Sequence, residues 1–220
     1  MLPLAVPDYG RRRALILDRD GTLIVDPGYL SEPDGVRLLP HVGEALRALA
    51  GAGFLLVVAT NQSGIARGKY SLERYRAVAA RLDDVLAREG VTLSASYMCP
   101  FHPEGSVAEF ARDHEDRKPN PGMWQRAAAD LGLELARCYT IGDGERDIVA
   151  GKRAGTPAVL LAGERDKWPL PVGGPYDADF VARDLREAAQ WILRREGRPP
   201  LPPRPASSTG PGQSSTGSGQ

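Results

Sequence analysis

Cysteine is scarce: Cys99 and Cys138 are the only two in 220 residues, far apart and with no CxxC pairing. A disulfide-rich scaffold is thereby excluded, and reduced thiols in a cytoplasmic protein are the expectation. Long apolar runs are also missing. None approaches the roughly 20 residues that span a bilayer, and Met1 to Arg13 lacks the charged-then-apolar order of a secretory leader, so no membrane partner is expected. Excess charge is absent too. The 28 Lys and Arg balance 28 Asp and Glu, which gives no net pull on polyanions, and nucleic acid is not the expected partner. From Gly197 the chain runs GRPPLPPRPASSTGPGQSSTGSGQ, with almost nothing to bury. That composition predicts a disordered tail over 197–220, its Pro-rich start reading as a solvated linker rather than a ligand for a proline-reading domain.

What remains, residues 13–196 after a short N-terminal extension (1–12), suits one domain with a full core; a monomer is the default. Ala14 to Leu17, Phe54 to Ala59, Ala95 to Cys99, Cys138 to Ile141 and Ala158 to Leu161 read as buried strands. Amphipathic stretches at Val42 to Ala52, Leu72 to Arg88, Met123 to Leu131 and Arg146 to Ala154 alternate with them, and Phe180-Val181 with Leu185 to Arg194 adds a last unit. Alternation predicts an α/β fold, a doubly wound parallel sheet that binds ligands at the carboxyl ends of its strands.

The polar motifs fall at those ends. The first strand empties into Asp18-Arg19-Asp20-Gly21-Thr22. If the strand continued, its alternation would turn both carboxylates the same way, and Gly21 allows a sharp turn after them. Two acids in one pocket need a shared proton or a cation, and Mg²⁺, a hard ion that favours oxygen ligands, meets that need. A strand ending in an Asp-rich turn would produce the same letters, so the other strands decide. Thr60-Asn61-Gln62-Ser63-Gly64 follows the second strand and offers a hydroxyl and backbone N–H groups to phosphate oxygens, or simply caps a helix. Arg117-Lys118-Pro119 precedes a helix in the long loop after the third strand; alone, it would read as solvated surface. Asp143 follows the fourth strand, and Asp147, four residues on, braces the site from the helix start.

In this order D-x-D-G-T, T-N, K-P and G-D-x-x-x-D resemble the four motifs of the haloacid dehalogenase (HAD) superfamily of phosphatases. DRDGTLIVDPGYL, TNQSGIARGKY, CPFHPEGSVAEF, RKPNPGM and IGDGERD are similar to its D-glycero-D-manno-heptose 1,7-bisphosphate 7-phosphatase and histidinol-phosphatase group, over about Arg13 to Ala162. The resemblance implies a Rossmann-like HAD fold. Asp18 would be the nucleophile forming an aspartyl-phosphate, and Asp20 the general acid and base. Thr60 and Lys118 would stabilise the phosphoryl group. Asp18, the backbone carbonyl of Asp20, and Asp143 would hold Mg²⁺. Asp26, Pro27, Gly28, Tyr29, Asn61, Gln62, Ser63 and Arg117 would contact the substrate, a small phosphorylated metabolite and, on this resemblance, a sugar bisphosphate. Leu23 to Pro40 and Phe101 to Arg117 are too short for the family's large lid, so a capless, open site is expected.

The chain also departs from that pattern. Group members carry a structural zinc on a C-x-H pair followed by C-x-C. Here Cys99, Phe101, His114 and Asp116 stand at the matching places, with His102 beside them, so zinc is not expected and the loop should be held by packing of Phe101 and Phe110 and by ion pairs. Gly144 stands where the family often has Lys or another polar residue. The long loop from Cys99 to Arg117 favours the heptose bisphosphatase type over histidinol phosphatase. TNQSGIARGK with RKPNPGMW also resembles the 3′-phosphatase part of polynucleotide kinase-phosphatases, but there is no G-x-x-x-x-G-K-[ST] kinase loop. An inactive phosphosugar-binding module would have no chemical need for Asp18, Asp20, Thr60, Lys118 and Asp143 together.

Overall fold

A computed structural model describes residues 12–162 and 177–203. Six parallel strands form one sheet in the order β3-β2-β1-β4-β5-β6: β1 Ala14–Leu17, β2 Leu55–Asn61, β3 Ala95–Cys99, β4 Tyr139–Gly142, β5 Ala158–Leu161 and β6 Phe180–Ala182. Strand alternation splits the core in two. Leu15, Leu17, Leu56 and Val58 face one layer, whereas Ala14, Ile16, Val57 and Ala59 face the other, as a sheet covered on both sides requires.

Helices α1 Val42–Gly51, α3 Leu72–Arg88 and α6 Leu185–Arg195 bury the first face, while α4 Gly122–Leu131 and Ala150 of α5 Glu145–Arg153 pack on the second. In α3 the buried residues Tyr75, Val78, Leu82 and Leu86 recur at helical spacing, and Ser71 caps its start by accepting from the Arg74 N–H at 3.2 Å. Asp184 does the same for α6, accepting from the Glu187 N–H at 2.8 Å. A four-residue helix, α2 Ser63–Ala66, follows β2 directly.

The strand order places the functional crevice. After β1 the chain builds outward through β2 and β3, then returns to lay β4 on the other side of β1. The carboxyl ends of β1 and β4 therefore form a topological switch point, where an open α/β sheet leaves a crevice for ligands. The loop between β1 and α1 contains one turn of 3₁₀ helix, Pro33–Gly35, and no further domain.

At its edges the domain differs from the boundaries expected. Arg12, assigned to the extension, already bridges to Leu133. Beyond Gly197, Leu201 packs against the first core layer and the Pro202 carbonyl accepts from buried Arg186. Residues 198–203 thus lie on the domain because Leu201 supplies the apolar group and Arg186 the donor. The remainder of the expected tail and of the expected extension lies outside the described residues.

Candidate active site

Register brings Leu17 beside both Val58 and Ile141, and the Asp18 N–H continues the ladder by donating to the Ile141 carbonyl at 2.9 Å. Asp18 consequently leaves β1 flanked by the ends of β2 and β4. Its Oδ1 accepts from Lys118 Nζ at 2.6 Å, and the same ammonium donates to the Ala59 carbonyl at 2.8 Å and pairs with Asp147 Oδ1 at 2.6 Å. Burial alone would push the Lys118 pKa down, but Asp147 and Asp18 hold it above the ordinary lysine value. Burial raises the Asp147 carboxyl against the pull of Lys118, and Asp18 adds to the rise.

Oxygen atoms of Asp18, Asp143 and Asp147 all lie within 4.8 Å of one another. Two glycines permit this approach. A Cβ on Gly21, whose φ of +80° favours glycine, would stand 2.1 Å from Asp143 Oδ2, and one on Gly142 would stand 2.2 Å from the Asp147 Cβ. The oxygen-only donors of Asp18, Asp143 and Asp147 suit a hard cation such as Mg²⁺.

Asp20 is oriented differently. Arg19 Nη2 donates to its Oδ2 at 2.8 Å and Gln62 Nε2 at 2.9 Å, so its side chain stands apart from the Asp18, Asp143 and Asp147 cluster. Burial raises the Asp20 carboxyl above its usual value, with Arg19 opposing and Asp18 reinforcing.

These groups line a cavity of about 360 Å³. Of the residues expected there, Asp18, Asp20, Asp26, Gly28, Tyr29, Thr60, Asn61, Gln62, Ser63, Lys118 and Asp143 are on its wall. Pro27 and Arg117 are not. Arg117 is half-buried and spends Nη1 on the Phe101 carbonyl at 3.2 Å. Gln62, on the wall, is buried and fully engaged: Nε2 donates to Asp20 and Thr60, while Oε1 accepts from Tyr70 and Arg19. Its bonding here is that of a brace for Asp20 and Thr60 rather than of a free substrate contact.

The family profile described as HAD-hydrolase-like matches residues 116–188. The D-glycero-beta-D-manno-heptose-1,7-bisphosphate 7-phosphatase of Yersinia pestis is 41% identical over 184 residues, covering 83% of this chain and 96% of that protein. Its namesake in Escherichia coli K12 is 39% identical, covering 83% and 95%. A crystal structure of D,D-heptose 1,7-bisphosphate phosphatase from B. bronchiseptica, complexed with magnesium and phosphate, superposes with a TM-score of 0.69 at 31% identity, covering 83% of this chain and 99% of that one. The chain belongs to the heptose-1,7-bisphosphate 7-phosphatase family of HAD phosphatases.

The loop after β3 is held by contacts of its own. His114 stacks on Phe101 at 4.3 Å, Phe101 meets Phe110 at 5.9 Å, and the Arg112 guanidinium lies 4.1 Å over the Phe101 ring. Asp116 pairs with Arg126, and Arg67 Nη2 contacts His102 Nε2 at 2.9 Å. Burial pushes the Cys99 thiol up to about 11.

Besides Leu30, three polar wall residues of this family member carry no motif signature: Arg19, Tyr70 and Arg146. Arg19, between the two acids of the first motif, was the most accessible of them, since a cation there must be near a carboxylate. Tyr70 and Arg146 reach the cavity only through the turns after α2 and β4, which spacing does not reveal.

Proposed function

We propose that this chain is a Mg²⁺-dependent phosphatase that removes the 7-phosphate of D-glycero-D-manno-heptose 1,7-bisphosphate. The observation that carries the reading is Asp18 at the switch point, its Oδ1 fixed by a buried lysine, with Asp143 on one side and a separately held Asp20 on the same cavity.

In the first step a carboxylate oxygen of Asp18 attacks phosphorus, the bond to the sugar oxygen breaks, and Asp20 delivers a proton to that oxygen. The upward shift of the Asp20 carboxyl favours the protonated form that this step requires. In the second step Asp20 takes a proton from water, the resulting hydroxide attacks phosphorus, and phosphate leaves as Asp18 is regenerated. Thr60 Oγ1 accepts from Gln62 Nε2 at 2.8 Å, which leaves its hydrogen to donate to a phosphoryl oxygen. Lys118 supplies fixed positive charge beside the same group. Asp18, Asp143 and the carbonyl of Asp20 would hold Mg²⁺, which when bound neutralises phosphate charge and polarises the phosphoryl oxygens.

Phosphate release with Mg²⁺ is to be measured on heptose 1,7-bisphosphate, histidinol phosphate and a 3′-phosphorylated oligonucleotide, with Asp18→Asn as the blank. The heptose bisphosphate is expected to be turned over fastest, and the variant to fall by at least about 1,000-fold while keeping a wild-type melting profile. Preference for either other substrate would move the assignment to that substrate. An active Asp18→Asn would overturn the covalent step.

A further inference from the structure

Three cationic side chains line the catalytic cavity: Arg19, Lys118 and Arg146. Lys118 is paired with Asp18 and Asp147, and Arg19 with Asp20 and Gln62. Arg146 makes no ion pair with a carboxylate among the described residues, and it is exposed.

Asp147 attracts the Arg146 charge, which helps to hold that carboxyl down, but other neighbours oppose it. Arg146 lies in the first turn of α5, where the helix dipole disfavours a cation. It also faces like charge: burial first, then Arg146 and Arg67, lower the pKa of Arg117. An anion between these guanidinium groups would relieve both effects.

The side chain is also aimed at the cavity rather than along the helix surface. Its Nε lies 3.9 Å from where a Cβ on Gly144 would stand, so Arg146 folds back over Gly144, itself a wall residue. A bulkier residue at 144 would contest that path.

We propose that Arg146 is a specificity-determining residue that grips the second phosphate of a bisphosphate substrate, at the end of the sugar remote from Asp18. A guanidinium presents paired N–H donors that match phosphate oxygens, and Arg117 adds charge from just outside the wall. This inference rests on the phosphatase reading given above.

The test compares kcat/KM for heptose 1,7-bisphosphate with that for heptose 7-phosphate in the wild type, Arg146→Ala and Arg146→Lys. The wild type is expected to prefer the bisphosphate, Arg146→Ala to cut that preference by about tenfold or more, the scale of one charge-assisted contact, and Arg146→Lys to keep part of it. A preference unchanged in Arg146→Ala would overturn the inference and leave the phosphatase assignment standing, as would a wild type that treats both sugars alike. A wild type inert toward both would instead overturn the functional reading on which the inference depends.

Discussion

Asn61 holds the backbone of Lys118 with both ends of its amide: Nδ2 donates to the Lys118 carbonyl at 3.1 Å, and Oδ1 accepts from the Lys118 N–H at 3.0 Å. The motif T-N offers phosphate a hydroxyl and backbone N–H groups, and the Asn61 side chain is committed separately, to joining the second and third motifs. Asn61→Ala is therefore expected to lower stability by about 1–3 kcal/mol, because two polar backbone groups lose their partner. Turnover should fall about tenfold or more as Lys118 loses its placement. Thermal melts and kcat on the same preparation check both, and a wild-type kcat would mean that the ion pairs alone place Lys118. Asp18, Asp20, Thr60 and Asp143 were legible in sequence because they stand at or just past the ends of strands, and Lys118, far from any strand end, only through the order of the motifs. The bracing by Arg19 and Gln62, and the turning of Arg117 toward Phe101, were not, because they depend on which partners the fold brings within reach.

Strands β1, β3 and β5 and helix α3 have the limits expected from sequence pattern, although β3 is only partly buried, with Ser96 exposed at its second position. Two elements were not so readable. Strand β2 continues through Thr60 and Asn61, which pair with Met98 and Cys99; their polarity masks a ladder that depends only on backbone. Helix α2 has four residues, too few to show a period. The edge strand β6, with three residues, has little ladder of its own and relies on Asp179, whose Oδ2 accepts from the Ala158 N–H at 2.7 Å and from Lys152 Nζ at 2.8 Å. Burial would raise the Asp179 pKa, but the bonds from Lys152 and Ala158 outweigh it and hold the pKa below 3.8. A depressed carboxylate stabilises the fold fully above its unfolded value, and the contribution is lost as pH falls through the folded one. Asp179→Asn should accordingly cost about 1 kcal/mol or less near neutral pH, given the partial exposure. Urea midpoints of the two proteins are expected to converge as pH is lowered from 7 toward the most acid condition at which both remain folded; a gap independent of pH would overturn this account.

Both faces of the sheet are covered by helices, and the relatives from Yersinia pestis and Escherichia coli K12 align with this chain over 96% and 95% of their lengths. The end of the domain is set by packing rather than by composition. Proline and glycine from 197 onward read as solvated, yet Leu201 lies against the first core layer and Pro199 to Pro202 line a groove with Ala48, Ala52 and Leu193. Arg186 explains why this stretch is held. It is buried at 3% exposure, pairs with Glu44 of α1, and donates to the Pro202 carbonyl. Removing residues 198–220 would take away one partner of a buried guanidinium and uncover apolar surface on α1 and α6, a cost of about 1–3 kcal/mol. Removing only 204–220 touches none of these contacts. The shorter truncation is expected to melt with the full-length protein and the longer one several degrees lower, while both keep the wild-type kcat, because the groove lies away from the switch point. Equal melting temperatures for the two truncations would show that residues 198–203 rest on the domain without stabilising it.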